Sequence, residues 1–105
     1  MHRRSWMCIA AAWLLSAAVA SAAAPHKALI VDGQNGHNWK ETTPVLKKLL
    51  EDTGLFEVDV ATAPAQGQDN AGFKPDFSKY AVVVTNYQGD PWPAETQQAL
   101  VNYVK

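Results

Sequence analysis

The apolar residues of this chain fall into two continuous runs and one alternating run, each bordered by polar loop sequence. Residues 28–31 (ALIV) and 81–84 (AVVV) are apolar at consecutive positions, which predicts two strands, 27–32 and 81–85, buried on both faces. Residues 56–61 (FEVDVA) alternate apolar with acidic side chains. This alternation predicts a third strand that has one wet face or lies at a sheet edge.

Helical spacing follows the first strand and returns at the end of the chain. The first predicted helix places these residues on one face: Val45, Leu46, Leu49 and Leu50. Its other face carries Lys47, Lys48, Glu51 and Asp52. Gly54 is placed to end this helix. The second helix opens at Pro93, and its predicted apolar face contains Thr96, Leu100, Tyr103 and Val104.

The start of the first helix has two interpretations. In one, Thr43 is the N-cap and Pro44 takes the first helical position, after an irregular turn over residues 39–42. In the other, Asn38 is the N-cap and Glu41 closes a capping box, which leaves Pro44 inside the second turn. Because proline strains a helix interior, the first interpretation is favoured.

The order strand, helix, strand, strand, helix predicts an α/β fold with a parallel sheet. Right-handed crossovers place the first strand in the centre, the alternating strand on one side and the third strand on the other. This is the opening half of a flavodoxin-like, doubly wound sheet, with three strands and two helices. The third strand is apolar but has no further strand to cover its outer edge. We therefore expect the chain to be a fragment, or its sheet to be completed by something else.

Residues 1–24 have the pattern of a secretory signal peptide. Arg3 and Arg4 precede an apolar stretch, and Ala20-Ser21-Ala22 fits a cleavage site. Cleavage after Ala22 and after Ala24 are equally compatible with the pattern, and an uncleaved membrane anchor is the alternative. The strongly apolar stretch favours general secretion over the twin-arginine route. We expect an exported, periplasmic or extracellular protein whose domain spans residues 25–105.

Removal of this peptide changes the chemistry that the chain offers. Cys8, the single cysteine, is lost, so no disulfide, cysteine metal site or cysteine nucleophile remains. Seven lysines and no arginine then stand against ten acidic residues, a net charge of about −3. This balance argues against nucleic acid and membrane surfaces as partners. A small, neutral, hydroxyl-rich ligand suits it better than an anion, because no arginine is present to clamp one.

Two polar loops follow the buried strands, at residues 32–39 (DGQNGHNW) and 86–92 (NYQGDPW). Both leave the carboxyl edge of the sheet, where open α/β sheets bind ligands. His37 is the candidate acid/base residue, because it alone there titrates near neutral pH. The candidate ligand-binding residues are Asp32, Gln34, Asn35, Trp39, Asn86, Tyr87, Asp90 and Trp92. Amides and carboxylates bind sugar hydroxyls, and aromatic rings stack on sugar faces.

Each of these residues also has a purely structural interpretation. His37 can simply hydrogen-bond across its loop, and Asp32 and Asp90 can cap loop amides or form turns. Trp39 and Trp92 can pack their helices on the sheet. No metal-motif spacing is present, so no metal site is predicted. The glycine spacing matches neither a Rossmann fingerprint nor a P-loop, so no cofactor is predicted. The long connection over residues 62–76 predicts a mobile flap or lid.

Residues 28–64 and 77–104 (FSKYAVVVTNYQGDPWPAETQQALVNYV) resemble the trehalose-utilisation (ThuA-like) family. The resemblance implies a class I glutamine amidotransferase-like, flavodoxin-like domain, of which this chain is the N-terminal part, truncated. It also implies a role in utilising trehalose-type or other glycosides. Amidotransferase relatives carry their cysteine nucleophile after a later strand and ThuA-like proteins generally lack it, so amidotransfer is not implied. Only His37 and its loop are carried over as a matching motif.

Three functions remain open on the sequence alone. One is an exported protein of carbohydrate utilisation, which acts as an enzyme on a sugar or an oxidised glycoside. A second is a non-catalytic carbohydrate-binding or interaction module that uses the same aromatic loops. The third is a non-functional truncated product.

Overall fold

A computed structural model describes residues 23–105, so residues 1–22 of the predicted signal peptide lie outside the described part. Three strands, two α-helices and one 3-10 turn make up the fold. In chain order they are β1 (His26–Asp32), α1 (Trp39–Asp52), β2 (Phe56–Thr62), the 3-10 turn (Phe77–Lys79), β3 (Val82–Thr85) and α2 (Ala94–Val104).

The strands form one parallel sheet in the order β2-β1-β3. The predicted strand order is therefore confirmed. Asp32 at the end of β1 pairs with Thr62 of β2, and Val31 pairs with Thr85 of β3. Because the strands run in the same direction, the loops that follow them emerge at one edge of the sheet.

Successive residues of β1 face opposite layers of the fold. Ala28 and Ile30 pack with Val58 under the apolar face of α1. Leu29 and Val31 pack with Phe77 on the other face, below α2. All six residues are buried, and this double coverage explains why the sequence of β1 is apolar at consecutive positions. A three-stranded parallel sheet with a helix on each face is confirmed.

The favoured prediction for the start of α1, with Thr43 as the N-cap and Pro44 as the first helical residue, is wrong. The helix begins at Trp39 with Asn38 as its N-cap, and Pro44 lies inside it. The Asn38 side chain makes no capping bond; instead the Asn38 carbonyl accepts hydrogen bonds from the N–H groups of Glu41 and Thr42. Thr43 is not a cap but a buried helical residue that is hydrogen-bonded to Asn86, the first residue after β3. This tertiary contact outweighs the local preference of proline for a helix start. Gly54, with φ +71°, ends the helix region as predicted.

Only part of the predicted apolar face of each helix is buried against the sheet; the remaining apolar side chains are exposed. Leu46 and Leu50 pack on the sheet, but Val45 and Leu49 are 58% and 62% exposed, and Val104 of α2 is also exposed. Helix α1 contacts β1 and β2, and no strand pairs with the outer edge of β3 in the described part. Because no strand covers this edge of β3 in the described part, residues 82–84 are half-buried rather than fully buried as predicted.

A hydrogen bond joins β2 to the segment before β3. The Tyr80 hydroxyl donates to Oδ2 of Asp59 over 2.8 Å, and Nζ of Lys27 lies 3.6 Å from the same oxygen. The hydrogen bond from Tyr80, assisted by the charge of Lys27, lowers the pKa of Asp59 below its usual value.

We expect this contact to make folding stability sensitive to acid. Because the pKa of Asp59 is lower in the folded chain, its contribution is complete above the unfolded value of about 3.8 and is lost as the pH falls through the folded value. Tyr80→Phe should lower stability at neutral pH, and the deficit should shrink below about pH 4. Urea unfolding followed by circular dichroism at several pH values measures this.

Tyr103→Phe is the matched control. Its hydroxyl donates to the backbone oxygen of Tyr80 over 2.8 Å, an acceptor that does not titrate. The deficit of this variant should be the same at every pH. If the stability deficits of Tyr80→Phe and Tyr103→Phe change with pH in the same way, ionisation of Asp59 is not the cause of the acid sensitivity.

Candidate functional site

The loops that follow β1 and β3 meet at the carboxyl edge of the sheet. We call residues 33–38 the first loop and residues 86–93 the second loop. The Gln88 N–H donates to the backbone oxygen of Gln34, and the Asp90 N–H donates to Oε1 of Gln34, both over 2.9 Å. The strand order brings the two loops together, and Gln34 fixes their separation.

The connection between β2 and the 3-10 turn forms a third wall. This segment, residues 63–76, is called the strap. The Gln34 side chain donates to the carbonyl of Pro64 over 2.9 Å, and the carboxylate of Asp90 accepts from the Gly67 N–H over 2.7 Å. Asn70 donates to the carbonyl of Pro91 over 2.9 Å. The strap thus connects to both loops, whereas the sequence predicted a mobile flap or lid.

Two glycines permit these close approaches. Gly33 has φ +123°, and a Cβ there would lie 2.3 Å from the backbone oxygen of Ala63 in the strap. A Cβ at Gly89 would lie 2.2 Å from Oε1 of Gln34. At Gly33 the backbone obstructs and φ is positive, so this position requires glycine. At Gly89 a Cβ would displace the Gln34 side chain that joins the two loops.

Between these three segments lies a cleft of about 810 Å³. This volume falls in the range of small-molecule sites. Four of the predicted ligand-binding residues line it: Gln34, Asn35, Trp39 and Asp90. The remaining lining residues are Gly33, Gly36, Lys40, Ala65, Gln66, Gln88 and Gly89. The surface is amide-rich, and one aromatic ring is available in it.

The other polar candidates are buried beside the cleft. Asp32 is 2% exposed, and its carboxylate accepts a hydrogen bond of 2.6 Å from the Thr62 hydroxyl. Asn86 donates to the hydroxyls of Thr42 and Thr43 and accepts from the Asn35 amide. These bonds tie β1 to β2 and the second loop to α1. Asp32 and Asn86 therefore hold the walls of the cleft rather than line it.

Tyr87 and Trp92 are packed in an aromatic cluster under the second loop. Trp92 contacts Tyr87, Phe73 and Phe77 at ring-centroid distances of 5.3, 5.7 and 6.3 Å. The Tyr87 hydroxyl donates to the backbone oxygen of Asp90 over 2.6 Å. Burial, reinforced by the negative charge of Asp90, raises the pKa of Tyr87, so the phenol keeps the proton that it donates. Neither ring lines the cleft.

His37 is exposed at the outer end of the first loop. Its backbone oxygen accepts a hydrogen bond of 2.9 Å from the Trp39 N–H, but the residue is not part of the cleft lining. No hydrogen bond joins its ring to another side chain within residues 23–105. The structure therefore places the acid/base candidate next to the cleft, outside its wall.

Sequence reasoning missed three groups of lining residues. Lys40 was overlooked because the helix was expected to begin after it. Ala65 and Gln66 were overlooked because a long, loop-like connection gives no sign of where it folds. Gln88 was in the predicted loop but was not singled out. A helix start at Asn38 would have placed Lys40 beside Trp39 at the sheet edge.

Residues 23–105 contain no cluster of three or more histidine, cysteine or acidic side chains placed to hold a metal ion. Among the helices of this part, none has the length and apolarity needed to cross a membrane.

The chain is similar to one solved protein that carries a family description. A crystal structure of a "putative thua-like protein" from Parabacteroides merdae ATCC 43184 aligns with a TM-score of 0.76 and 48% sequence identity. The similarity supports a ThuA-like domain. The alignment covers 77% of this chain and 29% of the Parabacteroides merdae chain. No family model and no curated protein matched the sequence.

Proposed function

We propose that this chain is part of an exported ThuA-like protein of carbohydrate utilisation, which binds a small sugar in the cleft between the two loops and the strap. The sheet then forms the beginning of a class I glutamine amidotransferase-like, flavodoxin-like domain. The similarity to the Parabacteroides merdae protein supports the family. The signal-peptide pattern of residues 1–24 supports export.

The observation that carries the proposal is the lining of the cleft. Gln66 and Gln88 contribute side-chain amides, and Trp39 contributes an indole ring. Amides donate to and accept from sugar hydroxyls, while an indole covers the apolar face of a pyranose. At about 810 Å³ the cleft has room for a monosaccharide or a disaccharide.

The test is a calorimetric titration of the chain with trehalose, simple glucosides and their keto forms. Trp39→Ala should weaken binding about fivefold, since a stacked aromatic ring is lost. Val45→Ala is the control, because Val45 lies on the same helix and is 58% exposed. If none of these sugars binds, or if both variants bind as the original chain does, the carbohydrate proposal fails.

A second candidate, a non-catalytic binding module, is favoured by one observation. The acid/base candidate His37 lies outside the cleft lining, and Asp32 is engaged by Thr62. The cleft thus has amides for recognition but no free titratable residue except Lys40. His37→Ala decides between the two functions: loss of turnover with binding retained supports an enzyme, and binding without any turnover supports the module.

A further inference from the structure

The cleft wall carries one acidic and one basic side chain. Its only ionisable lining residues are Asp90 and Lys40. Oδ2 of Asp90 accepts hydrogen bonds from the Gly67 N–H at 2.7 Å and the Gln34 amide at 3.4 Å. Oδ1 of Asp90 has no hydrogen-bond partner among the described residues, whereas Oδ2 holds the strap and the first loop.

Lys40 has no such partner. The four ion pairs between described residues join Lys27 to Asp59, Lys47 to Glu51, Lys48 to Asp52 and Lys74 to Glu95. Nζ of Lys40 instead lies 5.7 Å from the ring centroid of Trp39. The ammonium group and the indole face therefore occupy the same wall of the cleft.

The position of Lys40 also opposes the local preference of the helix. It is the second residue of α1, where the partial positive charge of a helix N-terminus favours acidic side chains and disfavours lysine. The contact with the Trp39 ring offsets this only weakly because Lys40 is exposed, and a position that breaks a local rule is a candidate for function.

We propose that the cleft selects a sugar acid, an aldonic or uronic acid whose carboxylate pairs with Lys40 while its ring lies against Trp39. This inference rests on the proposed function, because it concerns the same cleft. It departs from the neutral ligand that the sequence predicts. The absence of arginine removes a bidentate clamp but leaves a lysine in the wall. A carboxylate draws the ammonium group away from the indole, and this frees the ring face for the sugar.

The experiment compares two ligands that differ in one charge. Glucuronate and its methyl ester are titrated into the full chain at low and at high salt. Glucuronate should bind about fivefold more tightly than the ester at low salt, the factor expected for a solvent-exposed ion pair. High salt should remove most of this preference. Lys40→Gln should abolish this preference, so that glucuronate and the ester bind with equal affinity.

Lys48→Gln is the matched control. Lys48 is an exposed lysine of the same helix that pairs with Asp52 and lies outside the cleft, so this variant should keep the preference. Equal binding of glucuronate and ester by the original chain overturns the sugar-acid inference and leaves carbohydrate binding intact. A preference that survives in Lys40→Gln, or is lost in Lys48→Gln, overturns the assignment to Lys40. Binding of neither ligand, nor of any neutral sugar, overturns the proposed function itself.

Discussion

Gly33→Ala should lower the free energy of unfolding by about 3 kcal/mol. Two penalties coincide at this residue. Its φ of +123° is unfavourable for any residue with a Cβ, and that Cβ would lie 2.3 Å from the oxygen and 2.7 Å from the nitrogen of Ala63. Because the obstructing atoms belong to the backbone, no side-chain rotation relieves the overlap. Urea denaturation followed by circular dichroism measures the loss.

Gly36→Ala is the control for this prediction. Gly36 lies in the same loop, but a Cβ there meets no atom within 4 Å, and its φ is not positive. The free energy of unfolding of this variant should lie within about 0.5 kcal/mol of that of the original chain. Equal destabilisation by the two substitutions would show that the first loop is not held against the strap as described.

Phe77→Ala should lower the free energy of unfolding by about 3–5 kcal/mol, the usual range for an aromatic residue removed from a core. Phe77 is 2% exposed and packs between β1 and α2, where it contacts Trp92 and Tyr103. The cavity left by its ring would separate Leu29 and Val31 from the second loop. Thermal or urea unfolding gives the magnitude.

Leu55→Ala is the control for the core substitution. Leu55 is 59% exposed, and its carbonyl, which accepts from the His26 N–H over 2.8 Å, is retained in the variant. A change of about 0.5 kcal/mol or less is expected. A small loss for Phe77→Ala, comparable to that of the control, would mean that the face of the sheet below α2 is not a packed core.

The sheet could be predicted from the sequence because each strand carries a distinct hydrophobic pattern. Residues 28–31 are apolar without interruption since β1 lies in the centre and is covered on both faces. Residues 56–61 alternate because β2 is an edge strand. The start of α1 could not be predicted, since its outcome depends on hydrogen bonds from Asn86, which is distant in sequence.

The site was predictable in its location and less so in its composition. Strand order placed the two loops together, and Gln34, Asn35, Trp39 and Asp90 line the cleft as that location implies. The pattern of residue types could not distinguish these from Asp32 and Asn86, which are equally polar but buried. That distinction depends on partners such as Thr62, and a contact between residues 30 positions apart leaves no local signal.

Because the strap is held in place before any ligand arrives, binding should cost less conformational entropy than it would with a free flap. It is bonded to Gln34 and Asp90 near one end, and further along the Thr96 hydroxyl donates to the carbonyl of Phe73 over 2.7 Å. A ligand that contacts Ala65 and Gln66 meets a segment that is already ordered, so little conformational entropy is lost on association. Binding should therefore show a small heat-capacity change and association rates that need no slow closure step.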